Sequence, residues 1–230
     1  MKIIALIAAR RGSKRLPGKN IRMLSDKPLI EWTIDIAKDI PEISDILVST
    51  DDPEVETICS KNGIGIPWLR PKKLATDSSS LVDVAIHALN WYESEKGLVD
   101  GLLLLQPTSP FRTKENMIKG IQLYIKNKKN SVVALSPASV HPMWMFKNKG
   151  GEIVPYMENH GLNLRTQDLS PVYHVNGSFY LTSPEQLRQT HSFFGERVIP
   201  LIMSSEIESI DIDTEWDFMV AEYVALKKYY

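Results

Sequence analysis

Short apolar runs alternate with amphipathic stretches through the first 140 residues, and this constrains the fold more than any other feature of the chain. Residues 3–9, 46–49, 102–105 and 131–135 read as strands, with 64–69 as a further short one. Leu29–Ala37, Glu54–Lys61, Leu81–Tyr92 and Lys114–Ile125 read as helices; in the first, Leu29, Trp32, Thr33 and Ile36 fall on one face. A run such as Leu102-Leu103-Leu104-Leu105 has no polar face and must be covered on both sides. Strands joined through helices give right-handed crossovers and an α/β fold whose mostly parallel sheet is flanked by helices. In open sheets of this kind ligands bind at the carboxyl ends of the strands. The loops after Ala9, Ser49, Leu69, Leu105 and Leu135 are therefore the ones to inspect.

The pattern changes after Ser136. Turns at Lys149-Gly150-Gly151 and Asn159-His160-Gly161 separate isolated extended runs. Residues 137–195 thus read as a β-rich lobe inserted before the sheet resumes at Val198–Met203. A last helix, Glu215–Tyr229, is expected to bury Phe218, Val220, Ala221 and Val224. The reading is one domain over residues 1–230, a length that supports a single large core. Ile3–Ala9 is short enough for a signal-peptide core, but a basic block follows where a cleavage site would stand, so it reads as a buried strand. No apolar run reaches the length that spans a bilayer. The net charge of −1 argues against a nucleic-acid partner. The single cysteine, Cys59, excludes an internal disulfide and any cysteine-based zinc site, and fits a reducing cytoplasm.

The segment from Arg10 to Arg22, RRGSKRLPGKNIR, holds six basic residues and no acidic one. These are Arg10, Arg11, Lys14, Arg15, Lys19 and Arg22. Like charges at this density repel unless an anion relieves them. With Gly12 and Gly18 permitting close backbone approach, the loop suits a polyphosphate. It is neither familiar phosphate loop. Five residues, not four, separate Gly12 from Gly18, Asn20 follows Lys19, and no G-x-G-x-x-G is present. Near the other end, Asp211-Ile212-Asp213 is extended, so its two carboxylates face one way and Ile212 the other. Paired oxygen ligands beside a triphosphate suit Mg²⁺ or Mn²⁺, although Asp213 could also cap the last helix. Asp77 or Ser78 could likewise cap the helix after Arg70-Pro71. Gln106-Pro107-Thr108-Ser109-Pro110-Phe111-Arg112 is a stiff loop at a strand's carboxyl end. The five histidines show no metal-ligand spacing.

Several of these segments resemble the CMP-sugar-acid synthetases, the superfamily of the acylneuraminate and KDO cytidylyltransferases. Ala8-Ala9-Arg10-Arg11-Gly12-Ser13-Lys14-Arg15-Leu16-Pro17-Gly18-Lys19-Asn20 looks like the family's N-terminal motif. Arg70-Pro71 with Leu74-Ala75-Thr76-Asp77 looks like its R-P-x-x-L-A-x-D loop. Leu104 to Arg112 resembles the acylneuraminate form, where the KDO branch has an acidic Gly-Asp-Glu-Pro. Leu164–Pro171, Asn176–Tyr180 and Ser209–Glu215 resemble further family elements, so the likeness runs from Ala8 to Glu215. It implies a Rossmann-like nucleotidyltransferase that joins CMP from CTP to a nine-carbon sugar acid. Arg10, Ser13, Lys19 and Asn20 would meet CTP, with Arg70, Ser79 and Ser80 near the cytosine. Asp211 and Asp213 would hold the metal. Gln106, Arg165, Tyr180, Phe193 and Phe194 would meet the sugar acid, with Arg165 on its carboxylate. The likeness also implies a homodimer formed through the lobe, with Phe193 or Phe194 reaching the neighbouring subunit; plain core packing would account for that pair equally well.

One departure bears on the sugar. Acylneuraminate enzymes often carry a lysine shortly after a His-Pro in the lobe, whereas His141-Pro142 is followed here by Met143-Trp144-Met145-Phe146. An apolar wall with Trp144 would favour a methyl group over a terminal hydroxyl, as in the 9-deoxy legionaminic and pseudaminic acids. The KDO branch, another sugar nucleotidyltransferase and a non-catalytic nucleotide-binding protein of the same fold are the alternatives.

Overall fold

The computed structural model describes residues 1–158, 162–203 and 205–228. In chain order the elements are β1 (Ile3–Ala8), the two-residue pair β2 (Met23–Leu24) and β3 (Lys27–Pro28), α1 (Leu29–Lys38), β4 (Ile43–Ser49), α2 (Pro53–Lys61), α3 (Leu81–Lys96), β5 (Gly101–Leu105), α4 (Lys114–Lys126), β6 (Ser131–Pro137), a hairpin of β7 (Phe146–Lys149) and β8 (Glu152–Pro155), β9 (Tyr173–Thr182), α5 (Pro184–Thr190), β10 (Val198–Ile202) and α6 (Glu215–Lys227). Six strands form the central sheet in the order β10-β6-β9-β5-β1-β4. All neighbours are parallel except β9, which runs antiparallel between β5 and β6.

Strand alternation explains the two core layers. Ile3, Ala5 and Ile7 point to one face with Leu103, Leu105, Ile121 and Phe179, under α1, α2 and α4. Ile4 and Leu6 point to the other with Leu102, Leu104, Ala85 and Leu89, under α3. Every residue of β5 is buried, as its unbroken apolar run requires. A third cluster joins Leu16, Leu29, Trp32, Phe111, Ile212 and Phe218. It packs the loop after β1, the loop after β5 and the start of α6 against one another.

Three expectations are corrected. Residues 64–69 form no strand: Pro67 lacks a donor and Gly63 takes a left-handed φ of 71°. Residues 173–182, placed by sequence within the β-rich excursion, instead form a central strand of the sheet. Their polar beginning hides this, because the exposed start of β9 precedes its buried end. Val220 faces outward from α6 rather than into the core. The turn expected at 159–161, the start of the Leu164–Pro171 side-chain pattern at Thr166, and Tyr229 fall wholly or partly outside what the structure describes. No helix among the described residues is long and apolar enough to cross a membrane.

Gly120 sets how closely α4 lies on the sheet. A Cβ there would come within 2.5 Å of the buried Phe179 ring and 2.9 Å of Leu201. Gly120→Ala is expected to destabilise the protein by about 1–2 kcal/mol, the overpacking cost less alanine's helix preference. The midpoint of urea unfolding reads this; an unchanged midpoint would mean that α4 moves away freely.

Candidate active site

β1 has β4 on one side and β5 on the other. The chain reverses its direction of travel across the sheet there, and the reversal opens a crevice at the carboxyl end of β1. Two connected hollows occupy it. The larger, about 490 Å³, is lined by Arg10, Ser13, Lys14, Arg15, Lys19, Asn20, Asp77, Gln106, Thr108, Asp211 and Asp213 among others. The smaller, about 240 Å³, is lined by Arg70, Leu74, Thr76, Ser79 and Val84. Ala8, Arg10, Asp77 and Leu81 belong to both and form the partition. Two other surface hollows exceed both of these in size. One lies near α5 and the strand beginnings and the other beside the edge strand β4, both away from these loops.

The basic loop is fixed by apolar and polar anchors. Leu16 is buried in the third core cluster. Gly18 adopts φ 65° ahead of a single helical turn at Lys19–Ile21, a conformation that favours glycine. Asn20 is buried and donates from Nδ2 to the Arg10 carbonyl at 2.9 Å, closing the loop on itself. Arg22 leaves the cleft: its guanidinium grips Glu215 with two bonds of 2.6 Å and lies 4.0 Å from the Phe218 ring centre. The other cleft cations are met by two carboxylates. Asp77 accepts from Arg10 at 2.9 Å and Lys14 at 2.5 Å. Asp213 accepts from Arg15 at 2.5 Å and Lys19 at 3.0 Å, and Lys19 also reaches the Ile212 carbonyl at 2.9 Å. Each of the two aspartates is thus shared by two cations, and the cradle keeps a net positive charge.

Neither aspartate serves as a helix cap. Thr214 caps α6, and Asp217 completes a reciprocal capping box by accepting from the Asp213 and Thr214 amides. Ser80, not Asp77 or Ser78, caps α3 by accepting from the Val82 amide at 3.1 Å. That employment keeps the Ser80 hydroxyl on the helix, while Ser79 stays in the smaller hollow, bonded to the Lys73 carbonyl and to Thr76. Arg70 is buried beneath that hollow. It donates from Nε to Ser49 Oγ at 3.0 Å and from Nη2 to the Ser49 carbonyl at 2.5 Å. Desolvation lowers its pKa to about 10, so it remains a cation at neutral pH.

The acidic end of the cleft is assembled from three chain segments. Ile212 is buried and its amide donates to the Thr108 carbonyl at 2.8 Å, leaving Asp211 and Asp213 on the cleft side as extended alternation requires. Asp211 reaches solvent through the cleft mouth but is walled by protein elsewhere. Desolvation is the main cause that raises its pKa, Asp213's charge adds to it, and a bond with Thr108 opposes it. Tyr180 lies behind; burial and then the Asp211 charge push its hydroxyl up to about 12. Gly177, at φ 81°, backs the floor: a Cβ there would stand 3.0 Å from Gln106 Oε1. Buried Arg112 holds the floor together. It donates to the carbonyls of Gln106 and Ser178 at 2.6 Å each, to Thr33 Oγ1 at 3.0 Å, and to the Ser109 carbonyl. Thr108, Asp77, Arg112 and Gly177 were not among the expected site residues, although each lies in a segment that the sequence singles out: Asp77 ends the Arg70–Asp77 loop, Thr108 and Arg112 lie in the loop after β5, and Gly177 in Asn176–Tyr180.

The remaining expected residues lie apart from this cleft's lining. Arg165 is exposed and forms a local pair with Asp168 at 2.9 Å. Trp144 ends a single helical turn, its ring 6.2 Å from that of His141. Phe193 is 6% exposed and packs on Tyr180 within the core, whereas Phe194 is 44% exposed and meets Tyr180 edge-on at 6.4 Å. Cys59 is buried and desolvation raises its thiol to about 12, as expected of an inert thiol.

A cationic cradle, a buried-arginine pocket and a carboxylate pair thus meet at the switch point of a mostly parallel sheet, where folds of this kind take their ligands. Comparison places the chain more closely. The cytidylyltransferase family profile matches residues 4–229, and the chain belongs to that family of nucleotidyltransferases. It is 39% identical to the CMP-N,N'-diacetyllegionaminic acid synthase of Legionella pneumophila, covering 96% of this chain and 95% of that protein. It is 34% identical to an Escherichia coli N-acylneuraminate cytidylyltransferase over 99% of this chain, but spans only 53% of that longer protein. A CMP:2-keto-3-deoxy-manno-octonic acid synthetase solved with CTP shares the fold with a TM-score of 0.70 at 18% identity, covering 99% of this chain and 100% of the other.

The raised Asp211 carboxyl has a consequence for stability. Its charged form is disfavoured in the folded state, so the penalty is fully present above its native pKa and disappears as pH falls below the unfolded carboxylate range. In metal-free buffer Asp211→Asn is expected to melt higher than the parent at pH 7, with the gain shrinking towards pH 4. A lower melting temperature at pH 7 would show that the Thr108 bond outweighs the desolvation.

Proposed function

We propose that this chain transfers CMP from CTP to the anomeric hydroxyl of a sialic-acid-like nonulosonic acid of the diacetyllegionaminate type, releasing pyrophosphate. The observation that carries this is the divided cleft: a small compartment over Arg70, a cationic compartment over Lys19, and a carboxylate pair at its end. A pyrimidine fits the first, where the buried guanidinium can donate to a base carbonyl. The triphosphate fits the second, with Arg10, Lys14, Arg15 and Lys19 exchanging their aspartate partners for phosphate oxygens. The sugar hydroxyl forms the new bond to the α-phosphorus as the bond to the pyrophosphate oxygen breaks. Its proton leaves at the acidic end, where Asp211 and Asp213 are the cleft's carboxylates. Catalysis is then mostly positioning and charge neutralisation.

Among the described residues no cluster of three or more His, Cys, Asp or Glu is arranged to hold a metal. Two carboxylates facing one cleft still fit Mg²⁺ or Mn²⁺, which commonly takes one or two carboxylates and completes its shell with phosphate and water. The raised Asp211 pKa, caused by burial and assisted by Asp213, is a repulsion such a cation relieves. When bound, the metal supplies charge neutralisation at the phosphates. Asp213→Asn is expected to lower kcat by about 100-fold or more while the melting temperature changes little, because Thr214 carries the helix cap. Retention of near-parent turnover by this variant would remove Asp213 from the reaction.

The legionaminate reading rests on the 39% identity over nearly whole chains and on the apolar run Met143–Phe146. Because Trp144 lies outside this chain's own cleft lining, its contact with sugar needs a second subunit. The arm between β6 and β9 supports a homodimer: Val140, Met145, Phe146, Ile153, Tyr156, Leu164 and Tyr173 are all exposed large apolar side chains. In that dimer Arg165, Trp144 and Phe194 would meet the sugar across the interface. The free, buried thiol of Cys59 supports a cytoplasmic setting for this reaction. Pyrophosphate release with CTP is expected to show a higher kcat/KM for N,N'-diacetyllegionaminate than for N-acetylneuraminate, and calorimetry a preference for CTP over ATP, GTP and UTP. Equal efficiency with the two sugars would return the arm residues to a purely structural role.

A further inference from the structure

Helix α6 carries large apolar side chains on its outer side as well as its inner one, with Asp217 and Glu222 on its flanks and Lys227 at the carboxyl end of the outer strip. Phe218, Ala221, Val224 and Ala225 face the core. Trp216, Met219, Val220, Tyr223 and Leu226 face away and are 70%, 55%, 36%, 57% and 72% exposed. At about 100° per residue these five fall within one strip roughly 120° wide. The inner face carries the packing of the helix on the third core cluster, through Phe218, Ala221, Val224 and Ala225. Contiguous outward apolar surface of this kind marks an interaction site.

We propose that the strip pairs with α6 of a second copy, the two helices lying antiparallel about a two-fold axis at the level of Ala221, beside Val220. A two-fold interface must be self-complementary, and the order of residues meets that demand. Reversing one helix about the middle of the strip sets Trp216 against Leu226 of the other copy and Met219 against Tyr223, large beside small at each level. The charges follow the same rule. Glu215 and Asp217 stand at the amino end and Lys227 and Lys228 at the carboxyl end, so an antiparallel pair brings opposite signs together at both ends. A parallel pair would stack like signs and align the helix dipoles unfavourably. A purely acidic or purely basic partner would suit only one end of the helix.

The strip extends about 15 Å at 1.5 Å per residue, which is short of a standard stable interface of roughly 800 Å² per partner. Its contact therefore forms where copies are already gathered by another contact, which raises their effective concentration. The apolar arm lies on a different element, so the two surfaces together would make a dimer of dimers. This inference is independent of which sugar is used and of which residues carry the reaction.

The buried state of Cys59, the only cysteine, makes the test direct. In Val220→Cys a short bis-maleimide is expected to join two copies at position 220. In sedimentation at about 50 μM, a working concentration above that of typical weak contacts, the Met219→Lys/Leu226→Lys variant is expected at half the parent's mass. Its CD spectrum and turnover should match those of the parent. Absence of the covalent dimer, or equal mass of parent and variant, overturns the proposal. So does a cross-link from position 220 to a cysteine introduced at Ile153 in the arm in place of the 220–220 product, which would assign the strip to the arm of a second copy.

Discussion

A single buried cation organises the site. Arg112 has almost no contact with solvent and donates to four oxygens from three places: Thr33 on α1, Gln106 and Ser109 in the loop after β5, and Ser178 on β9. Full desolvation brings its pKa down to about 9, yet it stays charged at neutral pH because no neutral alternative satisfies those carbonyls. Removing such a group leaves several buried acceptors unpaired, each costing about 1–3 kcal/mol. The floor of the cleft, including the placement of Gln106 and the close approach of Gly177, depends on this one side chain. Its bond to the Ser178 carbonyl also ties the loop after β5 to β9, the strand that pairs with β5.

Around this floor the electrostatics are held in reserve. Four cleft cations are matched by Asp77 and Asp213, all at a partly solvated surface where individual pairs contribute little to stability. Their arrangement matters for binding instead. The two aspartates relieve part of the repulsion among these cations and fix where their side chains lie.

The capping box on α6 separates two roles that the sequence Asp211-Ile212-Asp213-Thr214-Glu215 leaves entangled. Thr214 and Asp217 satisfy the helix end, and Ile212 supplies the apolar anchor. Asp211 and Asp213 are left with the cleft. A short segment therefore carries attachment, capping and the cleft-facing carboxylates on different residues, which is why substitutions there can be read separately.

The sequence by itself determined the main strands and helices of the first 140 residues, apart from the strand wrongly expected at 64–69, together with the basic loop, the paired aspartates and their facing. These are local properties: apolar period, charge density and the two-residue alternation of extended chain. It did not reveal that 173–182 enters the middle of the sheet, since the exposed, polar beginning of that strand looks like its surroundings. Nor did it show that Ser80 caps α3, that Arg22 belongs to Glu215, or that Arg112 is the buried tie. Each of those pairings joins residues far apart in the chain or chooses among adjacent equivalents, and only the packed structure decides which donor finds which acceptor once water is removed.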